Sequence, residues 1–292
     1  MKADIRHCSI CMLNSMLMEM ELFHASDDLQ KKEFHDFMQI LTGQEGVTPV
    51  ELQDPYIRRL HELAGYDFYQ EQREKDDREM MKLTDQVEEI IRTSADPFRT
   101  ALRFAIFGNL IDPAGQSDKT PADVLQEAAR SELAIDHSEQ FFKRLRSARS
   151  ILYIADNAGE VAIDKVFVDF LKKNCLPKEC QVFFGVRGTQ VHNDARVSDA
   201  RLVGLDRLAR IVDSGSTYAG AIIESSSQEY QDAYFQADLI ISKGMGNYVV
   251  LEERRDKPIC FLLVAKCIPI SSHLGVPRGM PVCKINLPEE TD

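Results

Sequence analysis

Apolar side chains recur at intervals of three and four through the first half of the chain and in short unbroken runs through the second. From Cys8 to about Leu145 the spacing predicts helix after helix, as where Phe98, Leu102, Ala105 and Ile106 share one face. Helix starts are marked as well. Thr48-Pro49-Val50-Glu51 offers a capping residue, proline at the first helical position and a carboxylate three residues after the cap. Thr120-Pro121-Ala122-Asp123 has the same form with the shorter acid, and Asp96-Pro97 opens a third helix.

Near Ser150 the pattern changes. Runs rich in β-branched and aromatic residues now alternate with helical stretches, at Ser150 to Ala155, Gln181 to Val186, Ala209 to Val212, Asp238 to Ile241, Ile259 to Val264 and Val282 to Ile285. Strands separated by helical crossovers predict a mostly parallel sheet covered by helices, a doubly wound α/β layer. The chain therefore divides softly near residue 145, into an α-helical amino-terminal region (1–145) and an α/β domain (146–292). There are no internal repeats, low-complexity tracts or long linkers.

Polar stretches follow five of these runs: ADNAGE, VRGTQVHND, DSGS, SKGMGN and AKC. An open parallel sheet binds ligands beyond the carboxyl ends of its strands, so the five stretches converge on one cleft. Asp156 and Asn157 can present a carboxylate and an amide carbonyl to one point, and Asp194 can add a second carboxylate. Hard oxygen donors without a neighbouring His or Cys set suit Mg²⁺, Mn²⁺ or a similar octahedral cation. The competing reading is local: Asp156 caps the helix that begins near Glu160, while Asn157 and Gly159 make the turn.

Lys243, Gly244, Gly246 and Asn247 form a second constellation, in which glycine lets backbone N–H groups approach an anion and lysine adds a point charge. Loops also use glycine for geometry alone. Lys266 ends the very apolar run CFLLVAKC, where a charge needs a partner unless it reaches solvent. Lysines facing oxygen ligands make a layout for phosphoryl transfer. Arg187 can hold a phosphate or pair with an acid of the cleft. Asn109 and Asp112, in FGNLID, either join the substrate contacts or follow a helix that ends at Gly108 or Asn109. Cys8 and Cys11 form a CxxC beside His7; with no second CxxC, packing on one helix face is the simpler expectation than zinc.

Charge and cysteine content narrow the classes further. Forty-seven acidic against 35 basic residues give a net charge of −12, which excludes a nonspecific grip on nucleic acid or anionic lipid. No apolar run approaches the roughly 18 residues of a membrane-spanning helix, and no basic-then-apolar leader opens the sequence. Seven scattered cysteines suit a reducing compartment. These features predict a cytoplasmic protein acting on a small molecule; they do not set its oligomeric state.

Cys8-x-x-Cys11, GNLID, DNAGE, VRG followed by ND, SKGMGNY and AKC occur in one order over most of the chain. In this the sequence resembles the damage-control phosphatases, also known as domain of unknown function 89, in the standalone archaeal and bacterial branch bearing the CxxC. The resemblance implies an α/β/α sandwich with a helical amino-terminal region. It also implies a divalent-metal-dependent phosphatase, using Mg²⁺, Mn²⁺, Co²⁺ or Ni²⁺, that acts on small phosphate monoesters such as sugar phosphates or damaged phosphometabolites. Its metal ligands fall on Asp156, Asn157 and Asp194, and its phosphate-binding lysine on Lys266. Lys243 to Asn247 would border the substrate. The chain departs from the family at Val249, where an acid usually follows GNY, and at Gln190, where proline is usual. The first departure bears on substrate choice.

Under this reading Lys266 and Lys243 stabilise the transferred group, Arg187 and Asn109 join the substrate contacts, and Asp194 or Glu160 takes a proton from water. An adenosylmethionine-dependent methyltransferase is a second possibility, but the single glycine of DNAGEVA argues against a cofactor loop. A noncatalytic metabolite-binding module is the third.

Overall fold

The computed structural model describes the 292-residue chain apart from residues 43, 45, 109–120 and 289–292. Asn109, Asp112 and Thr120 lie outside the described residues. The first part of the chain forms α1 (Ile5–Leu22), α2 (Asp27–Thr42), α3 (Pro49–Ala64), α4 (Gln70–Met81), α5 (Thr84–Thr93), α6 (Pro97–Phe107) and α7 (Pro121–Arg130). A two-residue strand, β1 (Ile135–Asp136), and α8 (Ser138–Ser147) follow. The marked starts are used: Thr48 and Glu51 close a reciprocal capping box on α3, and Asp96 accepts the Arg99 N–H at 3.0 Å at the head of α6.

Strands and helices then alternate. They are β2 (Ser150–Ile154), α9 (Glu160–Asn174), β3 (Gln181–Val186), α10 (Val197–Leu202), β4 (Arg210–Asp213), α11 (Gln228–Gln236), β5 (Leu239–Lys243), α12 (Gly244–Leu251), β6 (Ile259–Val264), α13 (Ile268–Leu274) and β7 (Pro281–Asn286). All six expected strands form, with ends shifted by no more than two residues. β1 was not expected, because two residues carry no period.

The seven strands make one sheet in the order β1-β7-β6-β5-β2-β3-β4. β2 through β6 run parallel, whereas β7 is antiparallel to β6 and parallel to β1. β2, β5 and β6 are buried along their whole length. Their alternate side chains enter different cores, as period two requires. Ile151, Tyr153, Ile241 and Leu262 face a core shared with α5 to α9, and Leu152, Ile154, Ile240 and Phe261 face one shared with α11 to α13. The result is an α/β/α arrangement. A third cluster joins α1, α2 and α3 to Val191 and Ala219, which lie in the loops after β3 and β4. No helix among the described residues is long and apolar enough to cross a membrane.

The topology locates the cleft. From β2 the chain moves outward through β3 to β4, then returns to the other side of β2 for β5 and continues to β6. Loops leaving the carboxyl ends of β2 and β5 therefore depart in opposite directions, opening a crevice between them.

Removing the cap on α6 with Asp96→Ala should cost about 1 kcal/mol and lower Tm by about 2 °C. Thermal unfolding followed by circular dichroism measures it, and an unchanged Tm would show that the cap contributes nothing.

Candidate active site

Two loops are tied together at this crevice by main-chain bonds. Ala195 N donates to Asp156 O and Ala158 N to Asn193 O, both at 2.9 Å, and Asn157 and Asp194 pair as an isolated antiparallel bridge. Arg187 N also donates to Ala195 O at 2.9 Å, continuing the contact back to the end of β3. Asp156, Asn157 and Asp194 are thus held together although 38 residues of sequence separate the first from the last.

A cavity of about 280 Å³ opens here, and Asp156, Asn157, Glu160, Asp194, Gly244 and Lys266 line it. Gly246 lines it too. Asp156 does not cap α9: the N-cap is Gly159, with φ +73° and no side-chain cap bond. Asn157 Nδ2 donates to Asp156 Oδ2 at 2.8 Å. Gly244 has φ +73°, and a Cβ there would sit 2.0 Å from the same Asp156 oxygen, so the carboxylate rests directly on glycine backbone.

Lys243 and Asn247 take other positions than the sequence suggested, and Arg187 takes the second of its two, beside an acid of the cleft. Lys243 has 0 % of its surface exposed; its Nζ donates to Glu160 Oε1 and, at 2.6 Å, to Asp164 Oδ1. Tyr153 Oη donates to the same Asp164 oxygen at 2.6 Å. Burial alone would lower the Lys243 ammonium, but Asp164 and Glu160 outweigh it and hold it above its ordinary value. Arg187 Nε donates to Asp194 Oδ2 at 2.7 Å and its Nη2 to Asn247 Oδ1 at 3.0 Å. Asn247 Nδ2 donates to Lys243 O at 2.8 Å and Ala155 O at 3.0 Å. These three side chains frame the cavity from behind and are not among the residues that line it. The reason is electrostatic: a fully buried cation is stable only beside buried acids.

The acids remain in excess. Burial, then the neighbouring Asp194 and Glu160 charges, push the Asp156 carboxyl up to about 8 against the pull of Arg187 and Lys266. Glu160 Oε2 is buried with no hydrogen-bond partner among the described residues. No three His, Cys, Asp or Glu side chains gather as a metal cluster among the described residues, and Asp156, Asn157 and Asp194 include only two such side chains, both Asp. Their oxygen donors and surplus negative charge nevertheless fit a hard divalent cation.

Two groups on the cavity wall had no assigned role in the sequence reading. Gln53 comes from α3, and His192, with φ +49°, from the loop before Asp194. His192 Nδ1 meets Glu19 of α1, and Nε2 lies 3.4 Å from both Tyr56 Oη and Gln53 Oε1. Burial works against the imidazolium, but the Glu19 charge outweighs it and raises His192 above its ordinary value. No local signal links His192 to Glu19, because 173 residues separate them. Asp77 was also unforeseen: from α4 its Oδ1 accepts the Gly159 N–H at 2.6 Å, which fixes the turn that follows Asn157.

Fold and site together define a doubly wound α/β protein with an acidic, lysine-bordered ligand cleft at the carboxyl edge of its sheet. The family model of the damage-control phosphatase ARMT1-like domain matches residues 5–282, and the chain belongs to that family. It is 32 % identical over 286 residues to a damage-control phosphatase of Archaeoglobus fulgidus, covering 95 % of this chain and 97 % of the relative. It is 28 % identical over 283 residues to one of Pyrococcus horikoshii, covering 96 % of each. The crystal structure of a DUF89 family protein from Pyrococcus horikoshii superimposes with a TM-score of 0.87 at 28 % identity, over 97 % of this chain and 98 % of that one.

Two outcomes follow from the buried charges. Lys243→Met leaves Glu160 and Asp164 without their cation and should destabilise the fold by about 3–5 kcal/mol, read by thermal or denaturant unfolding. Unchanged stability with weakened phosphate binding would instead return Lys243 to the substrate. The second concerns Asp77, whose carboxyl burial pushes up from 3.8 to about 7, against the pull of the Gly159 N–H. The unfolded carboxyl ionises above about 4 and the folded one only near 7, so its contribution to stability is full at low pH and is lost across that window. Asp77→Asn cannot ionise; its Tm relative to the parent should rise from pH 4 to pH 7 and level off above. A pH-independent difference would contradict the burial of an ionisable group there.

Proposed function

We propose that this chain is a cytoplasmic, divalent-metal-dependent phosphatase that hydrolyses small phosphate monoesters, sugar phosphates and damaged phosphometabolites among them. The observation that carries this reading is the convergence of Asp156, Asn157 and Asp194 from two backbone-tied loops in a cavity that Lys266 also lines. The relatives named above as damage-control phosphatases support it.

In this reading Asp156, Asn157 and Asp194 hold the cation through oxygen atoms, and the bound cation supplies Lewis-acid stabilisation of the phosphoryl group. Asn157 uses its Nδ2–H on Asp156, which leaves Oδ1 as its ligand atom. Arg187 occupies Oδ2 of Asp194 and so fixes how that carboxylate turns. Lys266 balances charge on the transferred phosphoryl oxygens. Glu160 accepts the proton of the attacking water at Oε2, because Lys243 already occupies Oε1 and Arg187 already occupies one oxygen of Asp194. The water oxygen bonds to phosphorus, the ester P–O bond breaks, and the leaving oxygen takes a proton from solvent and departs as an alcohol, while Glu160 returns to solvent the proton it accepted.

The strand order of β2 to β6 also suits adenosyl or dinucleotide cofactors, but the loop after β2 carries Asp156, Asn157 and one glycine in place of a glycine-rich turn. Methyl transfer is therefore the weaker reading.

Protein stripped by chelator should release no phosphate from para-nitrophenyl phosphate or sugar phosphates until Mg²⁺, Mn²⁺, Co²⁺ or Ni²⁺ is returned. Asp156→Ala should remain folded by circular dichroism and lose at least about a hundredfold in kcat, as expected for removing a group that supports transition-state charge. Full turnover without metal, or by Asp156→Ala, would refute the proposal.

A further inference from the structure

A second and larger cavity, of about 580 Å³, adjoins the first, and Gln53, Met245, Gly246 and Lys266 line both. Its volume falls in the range of small-molecule sites. Its walls are of a different character. Met12 from α1, Val50 from α3, Val249 from α12 and Ile270 from α13 line it, and all four are buried. Val249, at the position where the resemblance calls for an acid, is 3 % exposed. One of the polar groups there, Arg278, already donates from Nε to Lys266 O at 2.7 Å.

The two cavities thus meet at Gln53, Met245, Gly246 and Lys266, with carboxylates on one side and mostly hydrocarbon on the other. Because Lys266 lines both cavities, a phosphoryl group bound beside it leaves the rest of its ester room to extend past Met245 into the apolar space. A sugar placed against Met12, Val50, Val249 and Ile270 would find partners only at the polar rim, at His7, Ser15, Gln53 and Arg278, and hydroxyl groups facing the apolar wall would be left without partners, which is costly. A hydrocarbon chain or aryl ring would release water from both itself and the walls.

We propose, on the phosphatase reading above, that the preferred substrates are phosphate monoesters with an extended apolar leaving group, whose alkyl or aryl body fills the cavity between α1, α3, α12 and α13. Substrate choice is then set by apolar burial at Ile10 and Ile268, the exposed apolar residues of this wall, with Val50, Val249 and Ile270 packed behind them, while the chemistry stays with the polar cavity.

The test uses the full-length, metal-loaded protein in two measurements. Calorimetric binding of methyl-, butyl-, hexyl- and octylphosphonate, with inorganic phosphate as reference, should strengthen by about fourfold per methylene, the equivalent of about 0.8 kcal/mol, until the cavity is full. Turnover of the matching alkyl phosphates should show the same rise in kcat/KM and exceed that of hexose phosphates. Cys11→Trp, at an exposed position on the cavity wall, should shrink the hexyl-to-methyl ratio by at least tenfold. Binding and kcat/KM that stay flat with chain length, in protein that does release phosphate, overturn the cavity assignment alone. Chain-length-dependent binding without phosphate release from any ester overturns the phosphatase reading, and with it the claim that the bound chain is a leaving group.

Discussion

The ammonium of Lys243, sealed from water between Glu160 and Asp164, is the contact on which the cleft depends. It joins the end of β5 to the first turns of α9, the helix that follows β2. Glu160 and Asp164 lie four residues apart and so share one helical face. Tyr153, on β2, adds its hydroxyl to the same group. One buried charge cluster therefore ties two neighbouring strands and a helix at the point where the sheet topology opens. Such clusters are weak sources of net stability, because desolvation offsets most of the attraction. What this one contributes is geometry: with Oε1 held, Glu160 has one defined orientation at the cavity.

Around that anchor, charge is distributed unevenly. Arg187 neutralises part of Asp194 and is itself held by Asn247, whose amide also binds the backbone at Ala155 and Lys243. Burial and the neighbouring Asp194 and Glu160 charges raise the Asp156 carboxyl in spite of Arg187 and Lys266. The oxygen donors of Asp156, Asn157 and Asp194, brought to one cavity, are in this sense arranged to suit a hard cation. The amino-terminal helices complete the wall: α3 supplies Gln53, and α1 supplies Glu19 behind His192. Their packing on Val191 and Ala219 makes them part of the site's frame.

Several features of this arrangement could be read in the residues directly. Asp156 and Asn157 after a strand, Asp194 after the next, and Lys266 at the end of an apolar run all line the cavity where the strand pattern placed them. Arg187 takes the second of its two readings and pairs with Asp194, whereas Lys243 and Asn247, expected to border the substrate, are turned to buried acids and backbone instead. The residue types were informative in both cases. A lysine beside glycines has the same appearance whether it faces a phosphate or a carboxylate, and only the position of α9 decides between them. His192 and Gln53 carried no signal, since each acquires its place from contacts more than a hundred residues away.

Sequence by itself determined the helical first half, the strand periods, the helix caps at Thr48 and Asp96, and the oxygen-rich turns at the strand ends. These depend on neighbours within a few residues, where steric and hydrogen-bond preferences act directly. Tertiary structure alone decided the antiparallel course of β7, the pairing of the short β1, the partners of Lys243 and Arg187, and the apolar cavity beside the acidic one. Each of these rests on which distant surfaces are brought together and which charges are taken out of water. Burial makes a charge choose a partner, and burial is a property of the folded chain.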